Sequence, residues 1–201
     1  MEQNKNQSIY GNHLEAMERA AEELTASVKE IRTELCRKLG MDPVEHYLIR
    51  IKGEESMREK CRRKGIPETT ESALSVIKDA IGARIVCAFV DDVYRIKDYL
   101  KESGRFEVIE EKDYIRHAKP NGYRSYHMIL KIRGMYYAEI QLRTISMDTW
   151  AALEHHMKYK KDTGAKTGLI VSELKRCADE LASTDLSMQT IRDMILEDDE
   201  E

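Results

Sequence analysis

Two alternating segments joined by a tight turn constrain the fold of this chain more than any other feature. They run from Tyr123 to Ile132 and from Tyr136 to Thr144, with Arg133-Gly134 between them. Side chains alternate across a strand, so each segment would have one mainly apolar face and one face of hydrogen-bonding groups. The first face carries Arg124, Tyr126, Met128, Leu130, Ile132, Ala138, Ile140 and Leu142, and the second carries Tyr123, Ser125, His127, Tyr137, Glu139, Gln141 and Arg143. A solvated sheet face would explain this alternation. However, Tyr, His, Gln and Arg in place of Lys and Thr favour a face that binds or catalyses.

Helical and extended patterns alternate along the rest of the chain. Apolar residues recur at intervals of three and four from His13 to Leu39, which predicts a long amphipathic helix ending near Gly40. The continuous apolar run from Ala83 to Phe89 is typical of an interior strand buried on both faces. Further strands are predicted over 47–52 and 106–109, and further helices over 56–65, 70–80, 93–103, 147–159, 169–182 and 185–196. Ser56-x-x-Glu59 would form a capping box at the start of the second helix.

This order of elements indicates an α+β fold, with a mostly antiparallel or mixed β-sheet flanked by helices and long helices at both termini. We expect residues 1–12 to be disordered, residues 13–160 to form the main domain, and residues 161–201 to form a helical tail with an acidic end. Residues 110–122 would be a loop, and residues 160–168 a mobile linker.

Charge is spread unevenly along the chain, and this suggests the class of ligand. Charged residues make up 35% of the sequence, yet the net charge is only −4, so the whole-protein field is not that of a general nucleic-acid binder. A basic block from Arg50 to Gly65 instead suggests a small anionic ligand. The four cysteines form no CxxC pair, and the chain contains neither a signal peptide nor an apolar run long enough to span a membrane. We therefore expect a cytoplasmic protein.

Two acidic residues are candidates for a metal site. Glu139 lies between Ala138 and Ile140 inside a predicted strand, and a shielded carboxylate needs a partner. Asp79 lies at the end of the predicted helix that leads into the interior strand, so it would lie at the edge of the sheet and could approach Glu139. Two carboxylates beside phosphate oxygens are the usual ligands of Mg²⁺. The same Asp79 could equally be a solvated acid at a helix end.

The basic block could hold phosphates. Arg50 and Lys52 lie at a strand end, and the following helix carries Lys60 and presents free N–H groups at its start. Ser56 is either a phosphate contact or simply the helix cap, and the second is the commoner role.

Taken together, these stretches resemble the RelA/SpoT family of alarmone synthetases, and among them the small, single-domain RelQ type. The resemblance rests on "RIKGEESMREKCRRKGIP", "YIRHAKPNGYRSYH", "AEIQLRT" and "MDTWAALEHHMKYK". It implies a nucleotidyltransferase-like mixed sheet and a homotetramer. It also implies an Mg²⁺-dependent enzyme that transfers pyrophosphate from ATP to the 3′-hydroxyl of GDP or GTP, giving ppGpp or pppGpp and AMP.

The resemblance also implies roles for individual residues. Arg50 and Arg84 would clamp adenine, Tyr123 would stack on guanine, and Glu139 would also take the proton of the 3′-hydroxyl. Together with the polar strand face, it gives an ATP site of Arg50, Lys52, Ser56, Lys60 and Arg84; a GDP or GTP site of Lys112, Lys119, Asn121, Tyr123, Ser125, His127 and Gln141; and a catalytic and metal-binding pair of Asp79 and Glu139.

Two rival functions remain open at this point. The same fold could pyrophosphorylate the 3′ end of tRNA, although a net charge of −4 disfavours docking of tRNA. Alternatively, the chain could be a nucleotide-sensing or single-stranded-RNA-binding module with a degenerate centre, although the presence of both Asp79 and Glu139 disfavours that function.

Overall fold

Five strands form one mixed sheet in the order β1-β2-β5-β4-β3. The computed structural model describes residues 8–158 and 167–198. The strands are β1 Val44–Ile51, β2 Ile81–Cys87, β3 Glu107–Asp113, β4 Tyr126–Ile132 and β5 Tyr136–Thr144. The helices are α1 Leu14–Leu39, α2 Glu54–Lys64, α3 Val90–Glu102, α4 Ile145–Lys158 and α5 Thr167–Asp198. Strands β2 and β5 are parallel and the other neighbours are antiparallel, which confirms the predicted mixed sheet with long helices at both termini.

One face of the sheet is the hydrophobic core. Met128, Leu130, Ala138, Ile140 and Leu142 are completely buried there, beneath helices α1 and α3. Helix α1 contributes a stripe of buried residues with helical spacing: Met17, Ala20, Leu24, Val28, Ile31 and Leu35. Each fully buried Leu, Ile or Met side chain stabilises the fold by about 1.5–3 kcal/mol, so this layer fixes which face of each strand remains free for a site.

The hairpin of β4 and β5 has the predicted tight turn. Arg133 and Gly134 both have positive φ, 53° and 66°, and the Met135 amide donates to the Ile132 carbonyl at 3.1 Å, which closes a tight turn around these two residues. This turn fixes the register, placing His127 opposite Gln141 and Ile129 opposite Glu139. The predicted division of the hairpin into one apolar and one polar face is therefore confirmed for β4 and β5, while Tyr123–Ser125 precede the strand.

Helix α2 begins two residues before the predicted capping box. Its N-cap is Gly53, and Ser56 lies within the first turn without capping it. The amide of Met57 donates to the Gly53 carbonyl at 2.9 Å. Two glutamates in the first turn favour this start because their negative charges interact favourably with the positive end of the helix dipole. The capping-box prediction is therefore wrong, and the Ser56 hydroxyl is left available.

The helix predicted over 70–80 is present but ends at Val76, four residues earlier than predicted. A π-helical turn, Ser72–Val76, is followed by extended backbone at Ile77. The amide of Lys52 donates to the Ala80 carbonyl at 2.9 Å, so pairing with the end of β1 draws this segment towards the sheet. Asp79 consequently lies in a turn before β2 rather than at a helix end.

Three boundaries elsewhere also differ from the prediction. Ile9 and Tyr10 are only 2% and 1% exposed, so the expectation of disorder is wrong for residues 8–12, and residues 1–7 lie outside the described chain. Residues 110–113 are not loop, because they extend β3 along β4. The two predicted C-terminal helices are one helix, α5, in which the Thr184 hydroxyl bonds to the Glu180 carbonyl at 3.0 Å and the chain continues without a break. Most of the predicted 160–168 linker falls outside the described residues.

None of the helices in residues 8–158 and 167–198 combines the length and apolar character needed to span a membrane.

Candidate active site

Two rows of side chains cross the polar face of the sheet, perpendicular to the strands. Cross-strand partners point to the same side, so the pairing of all five strands defines each row. The first row is Leu48, Arg84, Gln141, His127 and Lys112, and the second is Arg50, Gly82, Glu139, Ile129 and Glu110. The sheet therefore brings together residues that lie up to about ninety positions apart in the chain.

Two clefts open above these rows. The β1–β2 cleft, of about 340 Å³, is lined by Leu48, Arg50, Lys52, Gly53, Ser56, Asp79, Gly82, Ala83, Arg84, Glu139 and Gln141. The β3–β4 cleft, of about 390 Å³, is lined by Lys60, Lys64, Val76, Ile77, Lys78, Asp79, Glu110, Lys112, Tyr114, Lys119, His127, Ile129 and Glu139. Asp79 and Glu139 line both clefts. Two ligands bound side by side would therefore meet at these two carboxylates.

Asp79 is held by two lysines through a single oxygen. The ammonium groups of Lys52 and Lys60 lie 2.9 Å and 2.5 Å from Asp79 Oδ2. The other oxygen, Oδ1, is buried and has no hydrogen-bond partner in the described chain. A buried carboxylate oxygen without a partner is costly, and a cation is the kind of ligand that would satisfy it.

Glu139 is approached by two side chains of the same row, Gln141 and His127. The Gln141 amide donates to Oε2 at 3.1 Å, and His127 Nδ1 lies 3.7 Å from Oε1. His127, and more weakly Gln141 and Lys60, lower the pKa of the Glu139 carboxyl to about 2, although burial acts in the opposite direction. Glu139 is therefore a carboxylate at any physiological pH.

The two carboxylates suit a magnesium ion that shares its coordination with a ligand. No group of three or more His, Cys, Asp or Glu side chains is placed to hold a metal within residues 8–158 and 167–198, so the site offers no closed cage. Mg²⁺ is usually held by one or two carboxylates, with waters and substrate phosphates completing its coordination. The unsatisfied oxygen of Asp79 and the low pKa of Glu139 fit that arrangement.

The structure places four of the five residues predicted for ATP in the β1–β2 cleft. Arg50, Lys52, Ser56 and Arg84 line it, whereas Lys60 lines the β3–β4 cleft at its boundary with Asp79. Sequence reasoning missed Asp148 of α4, which lies 3.4 Å from the Arg84 guanidinium. Its position on the helix after β5 gave no signal of this contact.

The β3–β4 cleft is more basic than predicted. Lys112, Lys119 and His127 line it as expected, and so do Lys64 and Lys78, which sequence reasoning did not select. Lys78 is 3.7 Å and Lys112 is 2.6 Å from the carboxylate of Glu110. Lysines concentrated around such a space suit a ligand bearing several phosphates.

Two aromatic rings flank this cleft. Tyr114, which sequence reasoning missed, lines it directly, while the half-buried Tyr123 packs edge-on against Tyr114 with ring centroids 6.2 Å apart. The ammonium of Lys119 lies 4.5 Å from the Tyr114 ring and 4.8 Å from the Tyr123 ring. A cation over two aromatic rings marks electron-rich faces that a flat base could occupy instead.

Three residues predicted to bind the acceptor, Asn121, Tyr123 and Ser125, line neither cleft, and Gln141 lines the β1–β2 cleft rather than the β3–β4 cleft. The Asn121 amide donates to Glu154 at 3.0 Å, and its oxygen accepts from the Tyr123 amide at 3.2 Å, so this side chain shapes the turn and attaches it to α4. Ser125 is completely buried and its hydroxyl donates to the Leu142 carbonyl at 3.1 Å. The prediction that Ser125 contacts the nucleotide is not supported, because its hydroxyl is used within the fold.

Comparison with known proteins agrees with this geometry. Residues 49–164 match the family model described as "Region found in RelA / SpoT proteins". GTP pyrophosphokinase YwaC of Bacillus subtilis is 42% identical over 147 residues, covering 70% of each chain. The small alarmone synthetase 2 of Bacillus subtilis superposes with a TM-score of 0.78 at 34% identity, covering 91% of this chain and 98% of the other. The small alarmone synthetase 1 of the same organism, bound to its product pppGpp, superposes with a TM-score of 0.76 at 33% identity, covering 89% and 93%. Because the family region spans more than half of the chain and the similarity extends over most of its length, the chain belongs to the RelA/SpoT family.

Proposed function

We propose that this protein is a GTP pyrophosphokinase that moves the pyrophosphoryl group of ATP to the 3′-hydroxyl of GDP or GTP, giving ppGpp or pppGpp and AMP. The observation that carries the proposal is the pair of clefts on one sheet face that share Asp79 and Glu139. A transfer between two nucleotides needs two adjacent sites with a common centre. Membership of the RelA/SpoT family supports this function.

ATP would occupy the β1–β2 cleft. Arg50 and Arg84 are both exposed and lie in adjacent strands at the cleft wall, where two guanidinium planes can hold an adenine ring between them. Lys52 and the Ser56 hydroxyl lie at the start of α2, and would hold the phosphates together with the free N–H groups of that helix end.

The guanine nucleotide would occupy the β3–β4 cleft. Its base would replace the Lys119 ammonium against the rings of Tyr114 and Tyr123, since every base has a face that stacks on an aromatic ring. Lys119 would then be free to join Lys112 at the 5′ phosphates. Lys60, which lines this cleft and contacts Asp79, lies where phosphates of both nucleotides would converge.

The chemistry follows from this placement. The acceptor's 3′-oxygen forms a bond to the β-phosphorus of ATP, the bond from that phosphorus to the oxygen bridging it to the α-phosphorus breaks, and AMP leaves with that oxygen. The proton of the 3′-hydroxyl is released to solvent. The lysines offset the repulsion between the two polyphosphates, as positioning and charge neutralisation dominate such transfers. Asp79 and Glu139 would hold Mg²⁺, which supplies further neutralisation of phosphate charge when bound. A pKa of about 2 for Glu139 supports a metal-ligand role over the predicted general-base role, because so weak a base accepts a proton poorly.

The direct test is the fate of a β-phosphate label. Purified protein is incubated with Mg²⁺, β-labelled ATP and either GDP, GTP or deacylated tRNA. Pyrophosphoryl transfer moves the label to GDP or GTP and leaves unlabelled AMP, whereas transfer of the γ-phosphate alone leaves the label in ADP. Label on tRNA would favour the tRNA-modifying function, and no transfer to any acceptor would favour a nucleotide-sensing or RNA-binding module.

The assembly we propose is a homotetramer, with α5 supplying a contact surface. Leu186, Met188, Ile191, Met194 and Ile195 of this helix are each at least half exposed, and so much exposed apolar surface on one helix is typical of an interface. We place the reaction in the cytoplasm, where both nucleotides occur and where the four free cysteines would stay reduced.

A further inference from the structure

A buried arginine lies beside the acceptor side of the centre. Arg143 of β5 is 5% exposed. Its guanidinium donates to Asp148 at 2.9 Å, to the Tyr123 hydroxyl at 2.8 Å and to the Gln141 side-chain oxygen at 2.6 Å. Its Nε atom is buried without a hydrogen-bond partner in the described chain. Burying an arginine destabilises the folded state unless its charge is paired and its donors are hydrogen-bonded. We therefore asked what these three bonds do for the site.

The first connection to the centre runs through Gln141. The two ends of an amide side chain differ, because one end accepts and the other donates hydrogen bonds. The Gln141 oxygen is occupied by Arg143 at 2.6 Å, so its NH₂ group faces Glu139 and donates to Oε2 at 3.1 Å. An arginine has no acceptor, and therefore the amide cannot reverse without losing both bonds.

The second connection runs through Tyr123 and His127. Because Arg143 donates to the Tyr123 hydroxyl, that hydroxyl is free to donate to His127 Nε2, which lies 2.8 Å away. A neutral imidazole that accepts at Nε2 carries its proton at Nδ1. His127 Nδ1 lies 3.7 Å from Glu139 Oε1, so the donor end of this ring also faces the carboxylate.

We propose that Arg143 is a positioning residue that orients both donors at Glu139, one through Gln141 and one through Tyr123 and His127. The proposal rests on the proposed function, because it gives Glu139 the role of reaction centre. Both connections start at the Arg143 guanidinium and converge on Glu139, one through the Gln141 hydrogen bond and the other through the 3.7 Å approach of His127 Nδ1. Asp148 neutralises this cation, since Arg143 and Arg84 both approach its Oδ1, at 2.9 Å and 3.4 Å.

Kinetics of Tyr123→Phe and Arg143→Lys test the chain of contacts. Tyr123→Phe keeps the ring for stacking and removes only the hydroxyl, so a stacking role alone predicts unchanged kcat. We expect kcat to fall about tenfold, as for other supporting contacts around a metal ligand, with the KM for GDP within about twofold. Arg143→Lys should lower kcat at least as much, since one ammonium group cannot reproduce the planar set of N–H donors of the guanidinium. The double variant should be no slower than Arg143→Lys, because both changes break the same connection.

Arg192→Lys is the matched control. Arg192 is 7% exposed and donates a bidentate hydrogen bond to the Asp91 carboxylate at 2.9 Å and 2.8 Å. Neither residue lines either cleft. We expect it to lower the melting temperature without changing kcat. Wild-type kcat in Tyr123→Phe, or single effects that multiply in the double variant, would overturn the proposal. A drop in melting temperature alone for Arg143→Lys would also overturn it.

A measurement without nucleotides separates this proposal from the proposed function. Long-range ¹H–¹⁵N spectra of imidazoles at pH 8 report which ring nitrogen carries the proton, and the signals of His127 are assigned by their loss in His127→Gln. The proton is expected at Nδ1 in the wild type, with Nε2 protonation appearing in Tyr123→Phe. A wild-type ring protonated at Nε2 contradicts the proposal even if pyrophosphoryl transfer is observed. Conversely, an Nδ1 proton in a protein that forms no labelled product supports the orientation and rejects the activity.

Discussion

Asp79 makes charge pairs that a bound nucleotide would have to rearrange. Lys52 and Lys60 both contact its Oδ2 while Oδ1 stays without a partner. Phosphates entering the two clefts would compete for these ammonium groups, and each lysine released from Asp79 leaves more carboxylate charge for a cation. Nucleotide and metal should therefore bind with positive coupling, which is a reciprocal effect.

The two tyrosines at the β3–β4 cleft should affect the acceptor alone. Tyr123→Ala and Tyr114→Ala remove a stacking surface, and we expect each to weaken GDP binding by about 1–3 kcal/mol while ATP binding changes less than about twofold. Equilibrium titration with each nucleotide measures both. Tyr137→Ala is the control, because Tyr137 also lies under a lysine, Lys131 at 5.7 Å, but that lysine is not the Lys119 that covers Tyr114 and Tyr123. Equal losses for ATP and GDP would contradict the assignment.

Asp185 provides a test of pH dependence. Burial raises the pKa of its carboxyl above the usual value near 3.8, although hydrogen bonds from Thr144 and Ser146 act in the opposite direction. The folded state thus binds this proton more tightly than the unfolded state, and the associated stability is lost as pH rises above 3.8. Asp185→Asn can still accept from the Thr144 hydroxyl, which lies 2.6 Å from Asp185, and it removes the buried charge. We expect its free energy of unfolding to exceed that of the wild type at pH 7, with a smaller difference at pH 4.5.

Asp42 should affect the pH dependence of stability in the opposite way, measured as the free energy of unfolding in urea for both variants. A hydrogen bond from Arg32 lowers the pKa of its carboxyl, while burial opposes the shift. The stability it contributes is present above pH 3.8 and is lost as pH falls below that value. Asp42→Asn should therefore be less stable than the wild type at pH 7. The same sign for both variants at pH 7 would contradict this account of the two carboxyl groups.

Helix α5 braces the turn that carries the acceptor-side residues. The backbone of Gly122 lies against this helix, so a Cβ there would approach Ala178 Cβ to 2.6 Å and Lys175 Cα to 2.9 Å. Arg124 pairs with Asp179 at 2.8 Å beside it. The Asn-Gly dipeptide predicted the turn, but nothing in its sequence indicates that a helix fifty residues later packs on it. Local patterns identify an element, whereas its partner depends on tertiary contacts.

Gly122→Ala should therefore weaken acceptor binding as well as stability. The φ angle of 92° already disfavours a side chain, and the clash would push the turn away from α5. Gly104→Ala is the matched control, since Gly104 also has positive φ, 63°, but a Cβ there meets nothing within 4 Å. We expect Gly122→Ala to lower the melting temperature more than Gly104→Ala does. Only Gly122→Ala should raise the KM for GDP. Equal effects of the two substitutions would show that the contact with α5 is unimportant.

The order of the strands creates the site, and this order could not be predicted from the sequence. The hairpin of β4 and β5 followed from alternation, and the interior strand β2 from its apolar run. Placing β2 beside β5 sets Gly82 next to Glu139 and Arg84 next to Gln141, a pairing that joins segments more than fifty residues apart. Residue types thus singled out Asp79 and Glu139, which the fold brings to the boundary of the two clefts, while Asp148 and Tyr114 became apparent only from the fold.

The assembly can be tested through the exposed face of α5. Leu186→Lys combined with Ile191→Lys should convert a particle of four 23.3 kDa chains into smaller species, measured by light scattering after gel filtration. Both residues are at least half exposed in the single chain, so their replacement should leave the fold intact. Met135→Lys changes an equally exposed residue, 52%, at the hairpin turn and should not alter the mass. A wild-type mass of 23.3 kDa would contradict the tetramer.

The most direct test of the shared centre is Glu139→Gln, with turnover, nucleotide affinity and melting temperature measured on the same preparation. Glutamine keeps the shape and can still accept from Gln141, but it removes the negative charge that the low pKa maintains. We predict a fall in kcat of at least about a hundredfold, a smaller loss of affinity for ATP and GDP, and a melting temperature without metal equal to or above that of the wild type. Near-normal turnover would contradict the account, and a large drop in melting temperature would show instead that Glu139 serves the fold.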